Sequence, residues 1–318
     1  MYHYDSSRIT IFESGSALSQ YFKNILPYLF VAVAAALWGC VGFFVEYLDQ
    51  HSFNTNEIVA FRFVSATILL YLFLVFSKPE RLRIKWKDLH YFIGTGLLSI
   101  SFFNWSYFTA IRETSLSVAV VLLYTGPAFV VVLSRIFFKE RVTLQKLLAL
   151  IFTFLGIILV AEVITGGGEF STYGIIIGVG AGFGYALYSI FSKLALKVYS
   201  PLTIIFYTFL IASIFWIPVS GIYTIDSMAR LTNLSTLSWI IGLGFLPTVL
   251  AYLLYTEGLK KIEPGKASIT AMTEPIAATM IGFFMFGDNL NGLQITGILF
   301  VMTSVMLIHI KRKKGIRA

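Results

Sequence analysis

Apolar runs of similar length, each closed by a few polar residues, recur from one end of the 318-residue chain to the other. Ten can be marked, at roughly 25–46, 57–77, 90–111, 115–138, 143–164, 173–195, 201–222, 237–259, 266–286 and 292–310. Each is close to the ~17–25 residues that a helix needs to cross a hydrocarbon layer ~30 Å thick. The interruptions are turn-forming, as in Asn54-Thr55-Asn56, Gly166-Gly167-Gly168 and Asn289-Leu290-Asn291-Gly292. The pattern predicts an all-α membrane protein of ten transmembrane helices, with no room left for a soluble domain.

Composition agrees. The chain is 57% hydrophobic and 13% charged, with a mean hydropathy of +0.81, whereas soluble domains carry ~25% charged residues. The single Cys40 has no partner for a disulfide or a thiolate metal site. His3, His51, His90 and His309 are scattered, with no two one helical turn apart. No metal, cofactor or catalytic residue is therefore expected. A net charge of +8 raises the question of nucleic acid, but the basic residues lie in short loops and form no aromatic-interleaved face, which argues against it. The stretch Met1 to Asn24 has mixed charge and no small-residue cleavage site, so it does not read as a cleaved signal.

Loop charge predicts orientation instead. The odd-numbered connections hold only Arg112 and Arg230, and Arg62 and Arg135 fall inside spans. The rest of the 24 Lys and Arg lie in the tails, the even-numbered connections and the adjoining helix ends. By the positive-inside rule both termini are cytoplasmic, in a multi-pass protein of the cytoplasmic membrane.

An internal repeat underlies the ten spans. A shift of 148 residues aligns Gly94 with Gly242, Gly96 with Gly244, Tyr107 with Tyr255, Ala119 with Ala267, Pro127 with Pro275, Phe138 with Phe286 and Glu140 with Asp288. Upstream the shift is 145, pairing Ala36 with Ala181, Gly39 with Gly184 and Phe61 with Phe206. Five spans is an odd number, so the second copy enters the membrane from the other side and the repeats are inverted. Such repeats build many secondary transporters, whose substrate sites lie at the repeat interface near the midplane.

Trp38-Gly39, Phe61-Arg62, Tyr124-Thr125-Gly126-Pro127, Phe138-Lys139-Glu140-Arg141, Thr273-Glu274-Pro275 and Phe286-Gly287-Asp288 occur in this order from about Leu26 to Ile310. In that order and spacing the chain resembles the drug/metabolite transporter superfamily and, within it, the EamA-type transporters. It departs at Asp288-Asn289, where that family usually has glutamate. The resemblance implies a tail at 1–24, a first EamA repeat at 25–164, a linker at 165–172, a second repeat at 173–310 and a basic tail at 311–318. It also implies a cavity enclosed by spans one to four and six to nine, with the fifth and tenth at the periphery.

Glu274 is the most costly residue in the chain. It lies about 12 Å into an apolar run, at ~1.5 Å per residue, where a carboxylate costs ~2.5–3.5 kcal/mol. Either it serves a function or it pairs structurally with a neighbouring helix. Pro275 beside it, and its mate Pro127, each free the carbonyl one turn earlier, at Ala271 and Leu123, and are hinge candidates. Paired interruptions of this kind point to a transporter site. Arg62 lies about 8 Å inside the second span, placed either to bind substrate or to snorkel to the headgroups. The repeat mates of Glu274 and Arg62 are Gly126 and Tyr207, so both charges break the pseudo-symmetry. Asn104 and Tyr107 share a face, as do Tyr252 and Tyr255. With Trp38, Tyr124, Tyr185 and Tyr207 these complete the substrate-binding candidates, and Tyr188 adds a further aromatic wall. Tyr21, Tyr28 and Trp239 suit an interfacial belt. Gly174, Gly178 and Gly182 suit close helix packing, and Glu140 suits a local pair with Lys139 or Arg141.

The expected function is a secondary transporter that moves an amino-acid-like or amphipathic metabolite by alternating access, with export favoured. Glu274 could bind an amine or a proton, and Arg62 a carboxylate. A membrane-embedded enzyme or a channel is the alternative, but the sequence has no H-E-x-x-H, no aspartate-rich pair and no G-x-x-x-x-G-K-[ST]. The expected partners are membrane lipid, the small-molecule substrate and a second copy of the chain in a homodimer.

Overall fold

The computed structural model describes the backbone of residues 7–160, 171–286 and 291–309, and side chains over 23–160, 171–285 and 291–308. The basic tail, most of the linker, the side chain of Tyr21 and the pair Asp288-Asn289 lie outside the described residues. Among the described residues there is no strand. Seven helical stretches are long and apolar enough to cross a membrane: α1 (Lys23–Gln50), α2 (Thr55–Ser77), α4 (Leu116–Phe138), α6 (Thr172–Ala195), α7 (Pro201–Ser220), α8 (Leu234–Lys261) and α9 (Pro264–Met285). Two shorter apolar helices are α5 (Leu144–Val160) and α10 (Gly292–Ile308). The third apolar run forms α3, residues 89–113.

Polar residues before the helices satisfy their first N–H groups. Asn54 and Glu57 form a reciprocal capping box at α2, while Ser171 caps α6 and Ser200 caps α7, which also carries Pro201 in its first turn. Large apolar side chains such as Leu29, Val33, Leu72, Phe76 and Ile136 stay exposed. In a polytopic membrane protein that surface faces lipid.

The repeat is visible in the irregularities of the helices. α4 is two helices, Leu116–Leu123 and Gly126–Phe138, and α9 is two helices, Pro264–Ala271 and Glu274–Ile281. Both breaks fall at the same register of the 148-residue shift, one turn before the prolines act. A mated threonine closes each: Thr125 Oγ1 donates to the Leu122 carbonyl at 2.6 Å, and Thr273 Oγ1 to the Thr270 carbonyl at 3.1 Å. α3 and α8 each contain a widened π-helical stretch, Gly94–Ser101 and Phe245–Leu250. Packing also exchanges between halves. α1 packs on the last parts of α8 and α9, as its counterpart α6 packs on α3 and α4, and α5 packs against α10. Gly156 and Gly297 let those last two helices touch, since a Cβ on either would lie within 2.7 Å of the other's carbonyl oxygen. Gly174, Gly178 and Gly182 likewise admit Glu113, Leu122 and Thr125 onto α6.

The connecting segments meet at two ends. At one end, rich in Lys and Arg, Tyr199 donates to Asp88 at 2.8 Å, and Lys193 Nζ donates to the Leu259 and Ile262 carbonyls. Lys146, its side chain 3% exposed, bridges Glu140 at 3.1 Å and Glu263 at 2.9 Å. This corrects the expected pairing of Glu140 with Lys139 or Arg141: α5 starts at Leu144, so its first turn brings Lys146 back over Glu140. At the opposite end Arg230 pairs with the buried Glu57 at 2.6 Å, lies over the Phe53 ring and bonds the Ser52 carbonyl. Trp239 stacks on Tyr47 at 4.2 Å there.

Candidate functional site

The break in α9 places Glu274 as the first residue of Glu274–Ile281, where free N–H groups and the helix dipole favour a negative charge by ~0.3–1 kcal/mol. That gain is well below the insertion cost, so the carboxylate needs a polar surrounding, and it has one. Arg62 of α2, Tyr107 of α3, Tyr124 of α4, Tyr185 of α6 and Tyr252 of α8 all lie within its electrostatic reach. Gly39 lets α1 approach the same turn: a Cβ there would lie 2.8 Å from the Ala278 backbone nitrogen and 3.1 Å from the Glu274 backbone carbonyl oxygen.

The other half has filled the matching space. A Cβ on Gly126, the mate of Glu274, would lie 2.7 Å from the Tyr185 ring. The residue that answers Tyr185 by the 145-residue shift is Cys40, which is small and sits at a break in α1 between Gly39 and Val41. A large side chain in one half thus corresponds to a small one in the other, and the carboxylate lies in the half opposite the small one.

Arg62 does not snorkel. Its Nε donates to Thr248 Oγ1 at 2.8 Å and its Nη2 to the Pro247 carbonyl at 3.3 Å, both in the π-helical stretch of α8. A cavity of about 30 Å³ lies beside it, lined in part by Thr55, Val59, Asn104 and Phe108. Asn104 is buried and donates to the Ile100 carbonyl at 2.8 Å.

Trp38, Tyr252 and Tyr255 make the aromatic floor, with the Trp38 ring 5.0 Å from Tyr252 and 5.2 Å from Tyr255. Tyr188 completes it, 5.0 Å from Tyr252. Hydrogen bonds between Tyr188 and Thr256 at 2.9 Å and between Ser189 and Tyr255 at 2.6 Å hold this floor between α6 and α8. Trp38 Nε1 and the Tyr185 hydroxyl are buried without a hydrogen-bond partner among the described residues, an arrangement that costs free energy unless something else supplies the bond.

Of the residues expected at the site, Trp38, Arg62, Asn104, Tyr107, Tyr124, Tyr185, Tyr252, Tyr255 and Glu274 gather around this interior. Tyr207 does not join them. Its hydroxyl donates to the Leu82 carbonyl at 2.6 Å and its ring packs 5.0 Å from Phe92, at the basic end. Sequence reasoning missed Thr248 and Pro247. The available signal was a proline in the eighth span with Ser99, not proline, at the mated position.

The packing of α4 on α9 differs at the two ends. Pro264–Ala271 buries seven of its eight residues, whereas Glu274–Ile281 buries only Pro275. Pro264–Ala271 packs on Gly126–Phe138 of α4, while Leu116–Leu123 and Glu274–Ile281 make no comparable contact. α4 and α9 thus pack on each other at the basic end and not at the opposite one.

Comparisons with known proteins bear on the whole chain. The EamA-like transporter family matches residues 25–161 and 172–310. A chain from Archaeoglobus fulgidus, named an uncharacterized transporter, is 29% identical over 281 residues, covering 87% of this chain and 94% of its own. YyaM of Bacillus subtilis, also named an uncharacterized transporter, is 28% identical over 80% of this chain and 84% of its own. A crystal structure superposes with a TM-score of 0.76 at 15% identity, covering 89% of this chain and 96% of its own, which speaks to the fold alone. With both repeats matched and a multi-pass helical architecture around a polar interior, the chain belongs to the EamA-like transporter family.

Proposed function

We propose that the chain is a secondary transporter of the cytoplasmic membrane that carries a small amphipathic, amino-acid-like metabolite by alternating access. In this reading ten helices cross the bilayer as two inverted five-helix repeats, with both termini on the cytoplasmic side. The substrate lies between Glu274 and Arg62 over the aromatic floor. One observation carries the reading: Arg62 and Glu274 lie within electrostatic reach of each other in the protein interior, and Arg62 directs its hydrogen bonds to α8 instead of closing on the carboxylate. Two charges that only stabilised the fold would gain most by pairing directly. Held apart at a helix break, they can receive a ligand that carries both signs.

The unequal packing of α4 on α9 at the two ends supports alternating access, with the site reached from the end opposite the basic loops. The transition would transfer the packing from one end to the other, and Pro127 and Pro275 stand where each helix would bend.

Counterflow of an amino-acid panel in proteoliposomes tests the proposal. Glu274→Gln and Arg62→Ala are each expected to lower the rate by at least ~100-fold, the equivalent of ~2.7 kcal/mol lost from a charged contact. Wild-type rates in both variants would remove these residues from the pathway, and loading the vesicles from either side reads the direction of net flux.

A further inference from the structure

The π-helical stretch Phe245–Leu250 does more than widen α8. Pro247 has no N–H, so the carbonyl of Leu243, one turn earlier, loses its usual helical donor. Thr248 supplies the replacement, its Oγ1 donating to the Leu243 carbonyl at 2.7 Å. A hydroxyl has one hydrogen. With that hydrogen engaged, Thr248 Oγ1 can only accept from Arg62 Nε, which lies 2.8 Å away. The Pro247 carbonyl takes Nη2 from the same side at 3.3 Å. Nε and Nη2 form one edge of the planar guanidinium, so both bonds engage that single edge.

We infer that Phe245–Leu250 is a clamp that fixes the side edge of Arg62 and leaves its end edge, Nη1 with the second hydrogen of Nη2, to a ligand carboxylate, with Thr248 as the positioning residue. The inference rests on the transporter reading for its ligand and on the hydrogen bonds alone for its geometry. An arginine free to rotate would offer a carboxylate either edge; a clamped one offers a single fork of the kind that binds carboxylates through two parallel hydrogen bonds. The clamp also explains why the charge is an arginine. A lysine has no planar fork to divide between protein and ligand. The repeat mate of Arg62, Tyr207, bonds the Leu82 carbonyl at the basic end instead, so the device exists in one half only.

The geometry is tested without reference to any substrate. In full-length protein in lipid nanodiscs with [15N]arginine, the Nε–H resonance of Arg62 is assigned by its loss in Arg62→Lys. Thr248→Val is expected to move it to the position of an unbonded guanidinium with fast solvent exchange, and Thr248→Ser to keep it in place. A resonance unmoved by Thr248→Val overturns the clamp. Thr248→Ala serves the same purpose should the valine variant fail to fold.

The role is tested by thermal stabilisation with leucine, with 4-methylpentanoate, which lacks the amine, and with isoamylamine, which lacks the carboxylate. Thr248→Val is expected to weaken the first two on the order of tenfold and to leave the amine unchanged. Equal loss for all three would make Thr248 a structural residue and overturn the positioning role. If none of the three stabilises wild type while the resonance behaves as expected, the carboxylate ligand and the amino-acid-like substrate fall together, and the clamp on Arg62 stands.

Discussion

In α4 the residue that restarts the helix after its break is Gly126, and the ring of Tyr185 lies over it; in α9 it is Glu274, and the α1 position answering Tyr185 is Cys40. The two helices share the register of the break, the threonine that closes it and the proline that follows. They differ in what fills the space beside it. In the transport mechanism we propose, the shared features serve as scaffold and hinge, and the difference serves a ligand without two-fold symmetry. The helices also differ end to end. Their halves toward the basic end pack on each other, and the other halves do not.

The largest expected effect comes from the ion pair at the packed end. Lys146 is almost fully buried and bridges Glu140 in its own half to Glu263 in the other. Its repeat mate is Gln294, which bonds the Asn291 backbone nitrogen instead. Lys146→Met leaves a buried carboxylate uncompensated, a loss of ~3–5 kcal/mol for a pair of this kind. The expected result is opening of that end, measured as faster labelling of Ala267→Cys by an impermeant maleimide in a Cys40→Ser background. Labelling at the parent rate would show that the apolar packing of α4 on α9 holds that end closed by itself.

That ion pair also marks how far the sequence could be read. Among the described residues the apolar runs located the seven membrane-length helical stretches and the two shorter apolar helices, because length and hydropathy need no tertiary information, but not the short helix Ile225–Arg230. The 148-residue shift located both helix breaks, because proline and threonine act locally on their own carbonyls. Lys146 was visible only as one more basic residue at a loop boundary, since its partner Glu263 is far away in sequence. The clamp on Arg62 was hidden for a different reason: a π-helical stretch shifts every later side chain by part of a turn, and periodicity does not reveal where it begins. Tyr207 was expected among the substrate-binding residues as an aromatic wall, yet its hydroxyl reaches a loop carbonyl.

A middling effect is expected where α1 meets α9. A Cβ on Gly39 would lie 2.8 Å from a backbone nitrogen of α9, whereas one on its mate Gly184 would meet Phe102 at 3.1 Å and the Phe103 Cα at 3.2 Å. Overpacking of this kind costs ~1–3 kcal/mol. Gly39→Ala should fall at the upper end of that range, because the backbone of a broken helix cannot step aside without moving Glu274. Gly184→Ala should fall at the lower end. Thermal unfolding of the two variants measures the gap, and equal losses would mean that the α1 and α6 contacts are as alike as their sequences.

The smallest effect separates hinge from site. Thr125→Val and Thr273→Val each remove one hydroxyl from a carbonyl at the break that also accepts the same threonine's backbone N–H, at ~0.5–1.5 kcal/mol apiece, so their unfolding temperatures should fall by similar amounts. Their transport should not. Thr273 immediately precedes Glu274 and closes the turn that presents the carboxylate, while Thr125 precedes a glycine covered by Tyr185. Counterflow is therefore expected to fall several-fold further in Thr273→Val than in Thr125→Val at matched stability. If the two variants transport alike, the breaks act only as paired hinges, and the position of the Glu274 carboxylate does not depend on the turn that precedes it.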